Sequence, residues 1–325
     1  MYGKSLKTGS CIYHTYHIET MLGSGGSGSV YKAWHTRLRK HVVIKHVKNC
    51  SADTIEVRRN EVEALKNIRN QYVPQVLDFL EESDHCITVI EHIEGESLDK
   101  LLIQEKRFDE DQIIQWYRQL TSALCAIHRY DVCHRDIKPA NILLTTNGDM
   151  CLIDFNFALV SGNNTGVISR SIGYASPEQN EYFKLCRCIS NDTPMTNPYQ
   201  VTATMSKNDC LTEPVKGIAD SGEAVAGEHN LRENKQNGAD LFGNCSYNTI
   251  DWKLSDIFSL GATIYHLLTG MRPPIIKEEI EKIPDIEGYS ESTLKIIEKS
   301  MKTNPTQRYK SAIELNSVLY GVNYV

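Results

Sequence analysis

The sequence predicts an α+β chain of two lobes, a small β-rich lobe carrying one main helix and a larger helical lobe after it. Three observations lead there. Between Tyr16 and Ile93 the β-branched clusters "SVYKAW", "HVVIKHV" and "CITVIEHI" alternate with turn and charged residues, as strands do. One helical pattern interrupts them, in which Ile55, Val62, Leu65 and Ile68 share a side and Glu61 stands beside it. Beyond "EGES" the apolar period becomes helical, starting with Ile113, Tyr117, Leu120, Leu124 and Ile127 at steps of four and three.

In chain order, residues 1–15 read as an N-terminal tail, 16–93 as the β-rich lobe and 94–325 as the helical lobe. Residues 179–249 break the helical lobe. They are rich in Asn, Thr, Gly and Glu, poor in aromatics and without sustained period, so they read as a flexible insert. Helical periodicity returns at "DWKLSDIFSLGATIYHLLTG", an apolar helix closed by Gly270 and followed by Pro273 and Pro274.

A chain of 325 residues with 41% hydrophobic content can build a sizeable core, and its net charge of −6 argues against a general nucleic-acid or anionic-membrane binder. The first residues hold no apolar leader, and no stretch approaches the roughly 18 apolar residues of a membrane span. The expectation is a soluble, cytoplasmic protein. Its ten cysteines are scattered without C-x-x-C spacing, which fits free thiols better than disulfides or zinc. Cys186 and Cys188 make a C-x-C, but Cys210 and Cys245 lie too far off for the usual chelating pattern.

Chemistry enters at "LGSGGSGSV", Leu22 to Val30, where Gly23, Gly25 and Gly28 form G-x-G-x-x-G. A dinucleotide fold would need a helix next, yet "SVYKAW" reads as a strand, so the loop is a hairpin tip. Glycines there let backbone N–H groups approach phosphate oxygens without a Cβ in the way. Lys45, in "VVIK", is either a snorkelling strand-end residue or a phosphate clamp. "HRDIKPANILL" then places a carboxylate (Asp136), a cation (Lys138) and a neutral oxygen ligand (Asn141) within six residues. Asp154, in "CLIDFNFALV", sits in an otherwise apolar run.

With these motifs in this order, the sequence resembles the eukaryotic-like (Hanks-type) serine/threonine protein kinase family over most of Tyr16 to Val318, the insert excepted. The resemblance implies a bilobal kinase fold, ATP and Mg²⁺ (or Mn²⁺) as cofactors, and protein substrates with Ser or Thr acceptors. By it, Lys45 holds the α and β phosphates and pairs with Glu61; Asp136 is the catalytic base; Lys138 neutralises the transferring phosphoryl; Asn141 and Asp154 hold the metal. The phosphates lie under Gly23, Ser24, Gly25, Gly26, Ser27 and Gly28. Leu22, Val30, Val43 and Leu143 sandwich the adenine, Glu91 and Ile93 offer it backbone groups, and Ile90 is the gatekeeper. Val43 replaces the family's usual alanine, which should tighten the pocket. "SIGYASPEQ" resembles the segment ending in the anchoring acid, Glu178, with Arg308 as its ion-pair partner; Asp256 braces the catalytic loop. Arg135 is in place to receive a phosphate on the loop that follows, with Thr165 and Ser169 as favoured acceptors, and Ser171 bridges base and lysine.

The family's D-F-G is written "DFN" here. The metal aspartate is kept and the hinge glycine becomes Asn156, among the residues least penalised in a left-handed conformation, at about 1–2 kcal/mol. An alternative reading is therefore an ATP-responsive pseudokinase scaffold, and a third is a small-molecule kinase, whose usual loop lacks the Lys138 pattern. The filled acidic and basic positions favour the active Ser/Thr kinase.

Overall fold

The computed structural model describes residues 6–25, 28–82, 84–104, 108–155, 158–160, 171–191, 250–274, 283 and 286–321. All of these but Ile250 belong to one compact unit. Six strands form one antiparallel sheet in the order β1-β2-β3-β4-β6-β5: β1 (Cys11–Ile12), β2 (Tyr16–Gly25), β3 (Gly28–His35), β4 (Lys40–Lys48), β5 (Val76–Glu81) and β6 (His85–Glu91). Alternation sends Tyr31, Ala33, Val42, Ile44, Ile87 and Val89 to one face, where they pack with Leu6, Ile12, Tyr16 and Ile18. The sheet therefore starts before Tyr16. Leu6 and Ile12 are buried, so the segment expected as a tail roofs the small core.

The other face carries Lys45, which sits opposite Val30 on one side and Thr88 on the other; one row along, Val43 sits opposite Lys32 and Ile90. Helix α1 (Ala52–Leu65) packs on the sheet, capped at its start by Ser51, whose hydroxyl accepts from Thr54 N at 3.2 Å. Burying Ile55, Val62 and Leu65 holds it there, at about 1.5–3 kcal/mol for each fully buried side chain.

The helical lobe follows with β7 (Gly95–Ser97), α2 (Leu98–Ile103) and α3 (Glu110–His128). The five stripe residues of α3 are all buried, and Tyr117 Oη meets Ser300 Oγ at 2.6 Å across the core. Short strands β8 (Val132–Cys133), β9 (Ile142–Thr145), β10 (Met150–Leu152) and β11 (Leu159–Val160) build the floor of the cleft, with β9 between β7 and β10 and β8 against β11. Helix α4 (Pro177–Asn191) carries the ordered helical chain thirteen residues into the segment expected as insert. Residues 192–249, the remainder of that expectation, lie outside the described residues.

Helix α5 (Trp252–Thr269) runs through the centre of the lobe. Asp251 caps it, accepting from Lys253 N and Leu254 N, and Gly270 ends it at φ +69°, a left-handed turn that suits glycine. Helices α6 (Glu291–Ser300) and α7 (Ala312–Gly321) close the lobe around α3 and α5. Among the described residues no helix is long and apolar enough to cross a membrane.

Candidate active site

The site is built around the stretch from His134 to Asn141, between β8 and a short 3-10 turn at Pro139–Asn141. This stretch is anchored from below by α5. Asp256, fully buried, accepts the amides of His134 and Arg135, both at 2.8 Å, and lies 2.9 Å from His128 Nε2. Those bonds hold Arg135 at φ +60°, in the left-handed region. Gln179 of α4 adds a third tie, donating to Arg135 O at 2.7 Å.

That fixed backbone aims Asp136. Its Oδ1 accepts from Ser171 Oγ at 2.7 Å, and its Oδ2 accepts from Asn141 Nδ2 and Lys138 Nζ, both at 2.9 Å. Lys138 Nζ also donates to Ser171 Oγ at 3.2 Å. Asn141 Nδ2 reaches Asp136 O as well, so the amide is oriented with its oxygen turned away from the carboxylate. His134 fixes the floor: Nδ1 accepts from Asp136 N at 3.3 Å, so Nε2 carries the proton donated to Ile153 O at 3.0 Å. Burial pushes this imidazole below its ordinary pKa, consistent with the neutral form that pattern requires.

Asp154 follows β10 of the floor, at φ +66°, with Lys45 Nζ reaching its Oδ1 at 2.7 Å. Burial would raise its carboxyl, but the positive charge of Lys45 and the hydrogen bond from it, helped by Lys138, outweigh burial and hold it below the usual carboxylate range. Phe155 packs on His134 with ring centroids 4.7 Å apart.

Glu61 departs from expectation. It pairs with Arg58, one turn back on α1, at 2.8 Å, while the ammonium of Lys45 meets Asp154. The i,i+3 spacing puts the guanidinium within local reach, whereas Lys45 must be met across the gap between sheet and helix. Lys45, Arg58, Glu61, Thr88, Asp154 and Phe155 nonetheless line one cavity.

The glycine hairpin closes with Gly25 opposite Gly28, and Gly26 and Ser27 lie outside the described residues. Gly28 has φ +122°, and a Cβ there would fall 2.5 Å from His46 O, so only glycine fits. Gly23 and Ser24 continue the strand, opposite Val30 and Ser29. Val30, Val43, Ile90 and Leu143 are half-buried around the mouth, and Leu22 is exposed. Glu91 and Ile93 sit at the crossing between the lobes, where Glu91 N donates to Gln75 O at 2.9 Å.

Glu178 and Arg308 meet in a two-pronged pair at 2.6 and 2.9 Å. The buried Arg308 also donates to the carbonyls of Lys302, Leu254 and Thr303, which ties α4, α5 and the chain before α7 together. Arg135 is buried too, with its guanidinium over the Trp252 ring at 5.3 Å. Asn156, Thr165 and Ser169 lie outside the described residues. Sequence reasoning missed Arg58, His128, Gln179 and Trp252; only Arg58 left a signal, its helical spacing from Glu61.

A protein kinase domain model matches residues 16–184. The chain belongs to the protein kinase domain family. Among curated relatives it is 35% identical over 176 residues to serine/threonine-protein kinase PknA of Corynebacterium glutamicum, a match covering 50% of this chain and 38% of the relative. It is 34% identical over 168 residues to serine/threonine-protein kinase 36 of Pongo abelii, covering 50% and 13%. To PknL of Mycobacterium tuberculosis it is 33% identical over 171 residues, covering 50% and 43%. The chain thus aligns with less than half the length of each of these kinases. The domain match ends inside α4, and the Arg308–Glu178 and Asp256 contacts join the remainder of the helical lobe to it.

Proposed function

We propose that the chain transfers the γ-phosphoryl of ATP to Ser or Thr hydroxyls of protein substrates, with Asp136 as catalytic base. The observation that carries this is the Asp136 carboxylate held by Ser171, Asn141 and Lys138. A carboxylate fixed by three donors is aimed before substrate arrives, which is what a positioned general base requires. Lys138, already beside it, supplies positive charge to the phosphoryl in flight, and Lys45 at the opposite wall supplies it to the phosphates that stay behind.

The residues suit a hard divalent cation. Asn141 spends its Nδ2 on Asp136, which leaves its oxygen as a neutral donor, and Asp154 is kept ionised by Lys45. Mg²⁺, or Mn²⁺ in its place, would supply charge neutralisation between the β and γ phosphates when held by these two residues. Val43 and Ile90, adjacent in register, make a narrow apolar slot for the purine. The serine/threonine names of the relatives support the choice of acceptor. Cys11, Cys50, Cys86, Cys125, Cys133 and Cys151 carry free thiols, which suits a reducing compartment such as the cytoplasm.

The test is transfer of label from γ-labelled ATP to a generic acceptor protein with Mg²⁺, beside Asp136→Asn. Phosphoserine or phosphothreonine in the acceptor is expected from the wild type. Equal transfer by the variant, or none by either protein in the presence of bound ATP, would overturn the reading.

A further inference from the structure

On the side of the sheet that α1 covers, two cysteines meet. Cys86 lies in β6 directly opposite Val47 of β4. Cys50 stands just past the end of β4, where its amide donates to Asp84 O at 2.8 Å and so continues the ladder. Cys50 Sγ points at the carbonyl of Val47, 3.6 Å away, and Val47 is the residue directly opposite Cys86, so both thiols sit at one place under α1. They are 8% and 1% exposed, packed with Val47 and Ile55 under α1. The positive charge of Arg58, the residue that holds Glu61, reaches both sulfurs. The phosphoryl-transfer machinery uses neither thiol.

We propose that Cys50 and Cys86 are a redox-modification site, which a hydroperoxide converts to a disulfide tying the start of α1 to β6. Cys50, the more accessible, attacks the peroxide oxygen; its S–O bond forms, the O–O bond breaks, and water leaves once a proton is taken up. Cys86 then attacks the sulfenic sulfur, the S–S bond forms and a second water departs. The balance is two thiols and one hydroperoxide to one disulfide and two waters, or water and an alcohol from an organic peroxide.

Geometry supports the second step above all. Cys50 turns its sulfur back toward Val47, the ladder partner of Cys86, so the two side chains share one buried cluster, and that burial excludes competing thiols. Burial raises the pKa of both thiols, Cys86 to about 12, so the first step is slow at neutral pH and quickens as pH rises. Cys50 immediately precedes Ser51, the N-cap of α1, so the bond fixes the residue from which the helix starts. The helix carrying Arg58 and Glu61 then loses freedom at its first turns.

The experiment treats the full chain with hydrogen peroxide, blocks remaining thiols by alkylation, and maps peptides by mass. A peptide linking Cys50 to Cys86, lighter by about 2 Da than the sum of its reduced parts and reopened by dithiothreitol, is expected. Amide exchange over residues 52–61 should slow by roughly three-fold in the oxidised protein and recover on reduction. Cys86→Ala should abolish the link and leave Cys50 trapped as a sulfenic acid by a dimedone-type reagent. Should that variant not fold, mapping of the wild type still decides. Recovery of both peptides as alkylated thiols while the exposed Cys11 is oxidised would overturn the proposal, and so would a link with unchanged exchange in α1. None of these readouts depends on phosphoryl transfer.

Discussion

The two walls of the cleft are built to different rules. On the helical-lobe side Asp136 meets three donors, its backbone hangs from the buried Asp256, and Arg308 spends every donor group on Glu178 or a carbonyl. On the sheet side the charges are shared in a rearrangeable way: Lys45 with Asp154 of the floor, and Glu61 with Arg58 rather than Lys45. The difference is one of alternatives. Moving Asp256 would leave two amides without partners, each costing about 1–3 kcal/mol, whereas Glu61 can exchange one cation for another with little loss. One wall is preorganised for chemistry and the other can respond to what binds.

The sharpest break of that comparison removes the aim of the rigid wall. Asp136→Asn should lower phosphoryl transfer by about 10²–10⁴-fold, the range a positioned general base contributes. With its oxygen toward Asn141 and Lys138 the new amide keeps those bonds, and its NH2 can donate to Ser171 Oγ once that hydroxyl turns, so thermal melting should move little. Kinetics and melting measured on the same preparation check both halves. Loss of activity with a collapsed melting transition would mean that Asp136 holds the wall together instead of serving it.

Arg308→Ala attacks the same wall at its foundation. It leaves Glu178 charged and largely buried with no counter-ion, and breaking a buried pair by removing one partner costs about 3–5 kcal/mol. Urea unfolding should shift by that amount. On the sheet wall Arg59→Ala breaks only an exposed pair with Glu81 and should leave urea unfolding nearly unchanged.

Acid should then reach both walls through one buried and one half-buried histidine. Burial first, with the charges of His85 and Lys48, lowers His46 to about 4; burial and Arg272 do the same to His266, which meets Tyr174 Oη at 2.6 Å. The unfolded chain takes up these protons near pH 6.5 and the folded one resists until about 4. Stability is therefore full above about pH 6.5 and falls as pH drops toward 4. His46→Phe should flatten part of that decline. A melting temperature unchanged between pH 7 and 5 would contradict it.

How much of this was readable beforehand follows from distance along the chain. The residues proposed for catalysis between Asp136 and Asn141 are contiguous, so their grouping needed no knowledge of the fold, and α5 announced itself by an apolar run with Gly270 and two prolines behind it. Asp256 and Arg308 could be named only by resemblance, since nothing local marks a partner 121 or 130 residues away. Strand β1, two residues long, has no period to detect, and its pairing exists only because the sheet needs a roof for Ile18 and Tyr31. The Arg135–Trp252 stack joins a loop to the first turn of α5, a contact set wholly by packing. Glu61 stands on α1 as expected, and its carboxylate meets Arg58 here because the choice between two cations depends on how far α1 stands from β4.

That choice is the finest test of the comparison. Arg58→Ala removes the cation that holds Glu61, and the nearest alternative lining the same cavity is Lys45. Ion pairs at sites of this partial burial differ by about 1 kcal/mol or less, so the expected change in phosphoryl transfer is an increase of no more than about five-fold. A small rise alone could have several origins. The decisive measurement is a cycle with Glu61→Gln, comparing each variant and the pair for turnover and for ATP affinity. If Arg58 competes with Lys45 for the carboxylate, Glu61→Gln should lower turnover more in the Arg58→Ala background than in the wild type, and the non-additivity measures the exchange. Additive effects would place Glu61 outside the responsive wall and leave Lys45 and Asp154 as its whole charge pair.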